Sequence, residues 1–129
     1  MQITSFVFTK LSSERTADEL DKEPKANTDV KITKVSHLEQ GSLKVSFTFA
    51  INYSNLGNTI LEGSIIISDD SQKIENILES WKNNELNSEV STKVMNAILY
   101  HCNIKALELS REVNLPSHIS LPLIKLDSS

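Results

Sequence analysis

The stretch from Leu43 to Tyr53 constrains the fold of this chain more than any other part of the sequence. Large apolar side chains occupy every second position along it, and polar or small side chains occupy the positions between. The apolar set is Leu43, Val45, Phe47, Phe49, Ile51 and Tyr53, and the intervening set is Lys44, Ser46, Thr48, Ala50 and Asn52. A period of two places the two sets on opposite faces of a strand. The pattern predicts an antiparallel strand with one buried and one polar face.

Three further segments have the β-branched and aromatic composition of strands. They are residues 3–11, 29–35 and 59–68. Turn residues at 39–42 and 55–58 join the later strands, and residues 18–29 have the composition of an exposed loop. Gly63, inside the last strand, indicates a bulge or a close backbone approach. The first seventy residues are therefore predicted to form a four-stranded antiparallel sheet in meander order.

After Asp69 the spacing of apolar residues changes from that of a strand to that of a helix. Ile74, Ile77, Leu78 and Trp81 lie on one face of a short helix, which Asp69 is expected to cap. A longer helix is predicted from Asn87 or Ser88 to Asn114, before Pro116. Its apolar stripe comprises Val90, Val94, Ala97, Ile98, His101, Ala106, Leu109 and Val113. Residues 119–126 are expected to pack as an extended segment.

Strands followed by helices predict an α+β fold, with the two helices packed on one face of the sheet. The 129 residues suit a single domain, 1–129. Hydrophobic residues make up 39% and charged residues 23%, which argues against a disordered protein. Thirteen basic and seventeen acidic residues give a net charge of −4, the wrong sign for a general nucleic-acid binder. One cysteine, no bilayer-spanning apolar run and no signal-peptide pattern favour a cytoplasmic location without membrane insertion.

The histidines and the cysteine do not form a pattern typical of catalysis. His101 and Cys102 are neighbours, so on a helix they point about 100° apart and make no nucleophile–base pair. Cys102 is expected to be a small core residue, and His101 to be buried or half-buried on the apolar stripe. The sequence contains no CxxC, HxxxH or HExxH spacing and no phosphate-binding glycine motif. We predict a protein that is not an enzyme and that holds no metal or cofactor.

Two surfaces remain as candidates for binding, and each has two interpretations. The apolar strip that ends in Trp81, with Leu86 beyond it, either packs on its own sheet or meets a second subunit. The polar face of the strand 43–53 is either solvent-exposed or paired with another sheet.

Several short segments, in their order and spacing, resemble the SecB family of export chaperones. Phe8-Thr9-Lys10 resembles the aromatic-Thr-Lys step of the family's first strand, and Asp29-Val30-Lys31-Ile32 resembles the opening of its second. Glu62-Gly63-Ser64-Ile65 stands where the family closes its fourth strand with Gly-Gly-aliphatic-aromatic. Pro116 and Pro122 resemble the proline pair after the family's long helix, and 123–127 resembles its short apolar-aromatic-Asp ending. The resemblance covers residues 2–127.

The chain departs from the family pattern at the positions used for docking to the SecA motor. Leu11 and Arg15 stand where the family carries acids. The proline-rich approach to the long helix is replaced by 95–100, which has no proline, and the acidic tail is reduced to 127–129. The resemblance leaves SecA as a partner to be tested.

The resemblance implies an ATP-independent holding chaperone that binds unfolded polypeptides, either export precursors or another dedicated client, in an apolar groove. Such a protein takes part in protein transport and translocation in the cytoplasm, and its sheets and helices pair into a homotetramer, a dimer of dimers. The residues expected to line or support the groove are Leu61, Ile65, Ile77, Trp81 and Leu86. The alternative is an oligomeric interaction or scaffold protein of the same fold without an export role.

Overall fold

A computed structural model describes residues 1–16, 25–39 and 41–119. Four strands are followed by two helices. They are β1 (Gln2–Arg15), β2 (Asn27–Glu39), β3 (Ser42–Asn52), β4 (Gly57–Ser68), α1 (Ser71–Trp81) and α2 (Ser88–Glu112). The predicted α+β fold is confirmed. The extended segment predicted at 119–126 lies outside the described residues beyond Ile119, as does most of the loop predicted at 18–29.

The strand order differs from the predicted meander. All neighbouring strands are antiparallel, but their order is β1-β4-β3-β2, so only β2, β3 and β4 form a meander. β1 pairs with β4, and β1 and β2 form opposite edges of the sheet. Strands that are consecutive in sequence are neighbours in only about two-thirds of cases. The β1–β2 connection is long, and a long connection allows pairing that a short hairpin turn does not.

The alternation in β3 places one set of side chains under the helices, as predicted. Leu43, Val45, Phe47, Phe49 and Ile51 are all buried, whereas the intervening side chains are partly exposed. We call the side that bears the helices the covered face and the opposite side the open face. Gly63 lies opposite Phe47 in β3 and Phe8 in β1. A Cβ atom at Gly63 would collide with the carbonyl oxygen of Val7, which confirms the close backbone approach.

Helix α1 is capped by Asp70 and not by Asp69 as predicted. The Asp70 side chain accepts a hydrogen bond from the Lys73 amide at 2.9 Å, the contact that an N-cap makes. Asp69 instead accepts a bond from the Asp70 amide and lies 3.1 Å from the Met1 amino group. These two contacts, the amide bond first, lower the pKa of the Asp69 carboxyl. Asn87 caps α2 as predicted, accepting from the Val90 amide.

The buried stripe of α2 consists of every fourth residue. It comprises Val90, Val94, Ile98, Cys102, Ala106 and Ser110. His101, expected to be buried or half-buried, is exposed and stacks on the Phe6 ring with centroids 4.2 Å apart. Ser110 is buried because its hydroxyl lies 2.7 Å from that of Tyr53, so each polar group satisfies the other. Packing along the i, i+4 ridge places Cys102 and Ser110 on the buried side and leaves His101 outside.

Candidate functional site

The covered face leaves apolar side chains partly accessible at both edges of the sheet: Leu11 and its neighbours towards β1, and a second group towards β2. Val30 and Ile32 of β2 face the helices, because they pair with the buried Phe49 and Phe47. Both are only partly buried, as are Leu78, Trp81 and Leu86. We call these five side chains the β2-side apolar surface. They combine aliphatic and aromatic groups that pack against the core and still have contact with solvent.

Two elements flank this part of the sheet. Helix α1 packs on β2 and β3 and carries Trp81 at its C-terminal end. The segment after α2 returns towards the sheet, where the His118 and Phe49 ring centroids lie 6.1 Å apart. Phe49 pairs with Val30, so the returning segment meets the sheet next to β2. An apolar surface between two such elements suits an extended chain with hydrophobic side chains.

The residues predicted to line or support a groove divide into two groups by depth. Leu61 and Ile65, on β4, have no exposed surface, and Ile77 on α1 is also buried. Trp81 and Leu86 are partly exposed. The first three therefore lie in the core, and the last two are accessible to a ligand.

The imidazole of His118, near this surface, has a hydrogen-bond partner on only one of its two ring nitrogens among the described residues. Its Nε2 lies 2.8 Å from Oδ1 of Asn103, an acceptor, so Nε2 carries the proton. Nδ1 is buried and has no hydrogen-bond partner among the described residues. Burial lowers the pKa of His118, because the charged imidazolium would lose its hydration.

Cys102 is buried under α2, and burial raises the pKa of its thiol to about 12. The thiol is therefore protonated at neutral pH, which makes it a poor nucleophile and agrees with the prediction of a core residue. Within residues 1–16, 25–39 and 41–119 no three His, Cys, Asp or Glu side chains are grouped so that they could hold a metal ion.

The outward face of α2 carries apolar residues that the sequence reasoning missed. Tyr100 is 67% exposed and Ile104 is 46% exposed. They belong to a row with alternating spacings of four and three that we call the outer seam: Lys93, Ala97, Tyr100, Ile104, Leu107 and Arg111. This is the a/d spacing of a helix that packs along a partner helix. The spacing is present in the sequence. The stripe that packs on the sheet contains more apolar residues, so it was the stronger signal of a buried face.

Leu11 and Arg15, which stand where the SecB family carries acids, both lie in the C-terminal part of β1. Leu11 pairs with Leu61, and its side chain is 46% exposed at the edge of the covered face. The Arg15 guanidinium donates a hydrogen bond to the carbonyl oxygen of Asn114, just after α2. Neither side chain supplies negative charge. No helix in the described part of the chain is long and apolar enough to cross a membrane.

The comparisons with known proteins establish the fold. No family model matches the sequence, and no curated protein matches it. Among solved structures, the chain is similar to the SecB-like chaperone Rv1957 of Mycobacterium tuberculosis, in complex with a ChAD peptide from the antitoxin HigA1. The two chains are 12% identical, and the TM-score is 0.64 over 97% of this chain and 91% of that one. The chain therefore has a SecB-like fold, which it shares with a chaperone that holds a peptide.

Proposed function

We propose that this protein is an ATP-independent holding chaperone that binds unfolded polypeptide. The observation that carries the proposal is a SecB-like fold whose covered face leaves an apolar surface accessible beside β2. The structural neighbour binds a polypeptide segment, which supports a polypeptide client over a small molecule. The client is either an export precursor or a dedicated partner, and the proposed location is the cytoplasm.

The client would bind at the β2-side apolar surface. Trp81 and Leu86 would contact it directly, because both have exposed area, and a partly exposed tryptophan is a strong anchor in polypeptide interfaces. Leu61, Ile65 and Ile77 would support the groove from beneath as part of the core. A bound segment would gain the hydrophobic free energy of burying its own apolar side chains.

The proposal includes assembly of several copies, with a homotetramer as the expected form. The outer seam supports pairing through α2, because its exposed centre, Tyr100 and Ile104, has the spacing that fits another helix. The β1 edge supports pairing through sheets, because β1 has 14 residues and a neighbour on one side only. Two different self-complementary contacts of this kind generate a dimer of dimers.

SecA is the weaker of the proposed partners. Leu11 and Arg15 provide no acid on β1, and Arg15 is held against the end of α2. These two positions favour the second candidate function, an oligomeric interaction or scaffold protein of the same fold without an export role.

Light scattering with and without a reduced, unfolded client protein tests the proposal. The expected result is a particle of four 14.4 kDa subunits that forms a stable complex with the client and suppresses its aggregation. A particle that assembles but ignores the client would establish the scaffold alternative. A monomer indifferent to the client would remove both the assembly and the groove.

Two variants separate the client surface from the assembly surface. Trp81→Ala should weaken client holding and leave the mass of the particle unchanged. Tyr100→Glu should reduce the mass, because it places charge in the outer seam. A Trp81→Ala particle of unchanged mass with full holding activity would show that Trp81 is not part of the client site.

A further inference from the structure

The open face of the sheet carries four lysines, three of which lie on the neighbouring strands β2 and β3. The register aligns three rows across the sheet, from β1 through β4 and β3 to β2. The rows are Lys10, Glu62, Thr48 and Lys31, then Val7, Ser64, Ser46 and Lys34, then Ser5, Ile66, Lys44 and Ser36. We call Lys10, Lys31, Lys34 and Lys44 the lysine cluster. No client or assembly contact proposed above uses this face.

The charge of the cluster is opposite to that of the whole chain. The protein carries seventeen acidic and thirteen basic residues, yet Glu62 is the only acid in the three rows. Outside the rows, Asp29 lies 3.6 Å from Lys31, but both side chains are about two-thirds exposed, so this pair is weak and screened. Glu14 and Glu39 lie at opposite ends of the face. The three rows therefore carry a local excess of positive charge, with three of the four lysines on β2 and β3.

The surface between the lysines offers hydrogen-bond donors to a chain with carboxylates. A shallow depression of about 390 Å³ is lined by Lys44, by Glu62 and by hydroxyl-bearing side chains that include Ser46, Thr48 and Ser64. Hydroxyl and ammonium groups are donors to carboxylate oxygens. Val7, which is 49% exposed, adds an aliphatic contact beside the depression.

We propose that the open face binds an acidic, aliphatic-containing segment of a partner polypeptide. Charge complementarity selects the acid, and the rows of hydroxyls and aliphatic groups suit an extended chain laid across the strands. A nucleic acid fits less well, because the three rows offer no aromatic ring for base stacking and Glu62 lies among the lysines. The partner site is on the opposite side of the sheet from the proposed client surface, so the two sites can be tested independently.

Fluorescence anisotropy with a labelled peptide of alternating Glu and Leu tests the proposal. The comparison probes are a peptide of alternating Lys and Leu and a single-stranded oligonucleotide. The Glu–Leu peptide should bind, with an affinity that falls as salt is added, and the Lys–Leu peptide should bind more weakly. Equal binding of the two peptides, or tighter binding of the oligonucleotide, would overturn the proposal.

Two double variants of equal charge change locate the site. Lys34→Glu with Lys44→Glu should weaken binding of the Glu–Leu peptide by about tenfold or more, because two attractive charge contacts become repulsive. Lys73→Glu with Lys82→Glu, both exposed and away from the open face, should change it by much less. Equal losses in the two double variants would mean a non-specific charge effect and would refute the site.

A third variant separates this site from the client surface. Trp81→Ala should leave binding of the Glu–Leu peptide unchanged. If Trp81→Ala abolishes it, the peptide occupies the β2-side apolar surface and the open-face proposal is wrong. Thermal unfolding of each variant establishes that the compared proteins are folded.

Discussion

The two faces of the sheet are formed by the same strands but differ in how deeply their side chains are buried and in how polar they are. On the covered face, large apolar side chains such as Phe47 and Ile65 have almost no exposed surface. On the open face, the same strands present serine, threonine and lysine, and no element of the described residues packs over the three central rows. The period of two in β3 therefore separates two tasks: one face carries stability, and the other is free to change its chemistry without unfolding the chain.

The largest expected difference between the faces is at two adjacent residues of β3. Phe47→Ala should lower the free energy of unfolding by about 3–5 kcal/mol, because it leaves a cavity in the covered face. Thr48→Ala, on the open face, should change it by less than about 0.5 kcal/mol. Urea denaturation followed by circular dichroism measures both. Similar losses at the two positions would mean that the open face is also packed in solution.

The same contrast explains which parts of the fold could be read from the sequence. The alternation in β3 identified its buried face because burial is required at every second position, and that requirement is local. The position of β1 beside β4 could not be read in this way, because pairing depends on the β1–β2 connection and on contacts between distant residues. The cap of α1 was predicted one residue too early, at Asp69 and not at Asp70, because either of two adjacent aspartates is a good N-cap residue.

The candidate site was predicted only in part, for a related physical reason. Trp81 and Leu86 were predicted to line or support a groove, and they are partly exposed. Leu61 and Ile65 are also large apolar residues but have no exposed surface, and a sequence pattern does not distinguish a core position from the floor of a groove. The lysine cluster was missed because its four members come from three strands that only the register brings together.

A hydrogen bond between two buried hydroxyls on the covered side sharpens the comparison further. Tyr53→Phe or Ser110→Ala should each lower the free energy of unfolding by about 1–2 kcal/mol, because the remaining hydroxyl stays buried without its 2.7 Å partner. The double variant should lose less than the sum of the two. The matched pair on the other side is Ser42 and Ser68, whose hydroxyls are 3.4 Å apart and only partly buried. Ser42→Ala should therefore cost much less, and a loss equal to that of Ser110→Ala would contradict the contrast between the faces.

The smallest expected effect is a pH dependence that comes from the covered face. Burial lowers the pKa of His118 below its ordinary value of about 6.5, so the unfolded chain takes up this proton at a higher pH than the folded chain. The resulting contribution to stability is complete above the unfolded pKa and is lost as the pH falls through the folded pKa.

Urea midpoints measured between about pH 7.5 and pH 5 should therefore fall more steeply for the natural protein than for His118→Gln, whose amide does not titrate. If His118→Gln has the natural slope, His118 is accessible to water in solution, and the segment after α2 does not seal the covered face beside Phe49.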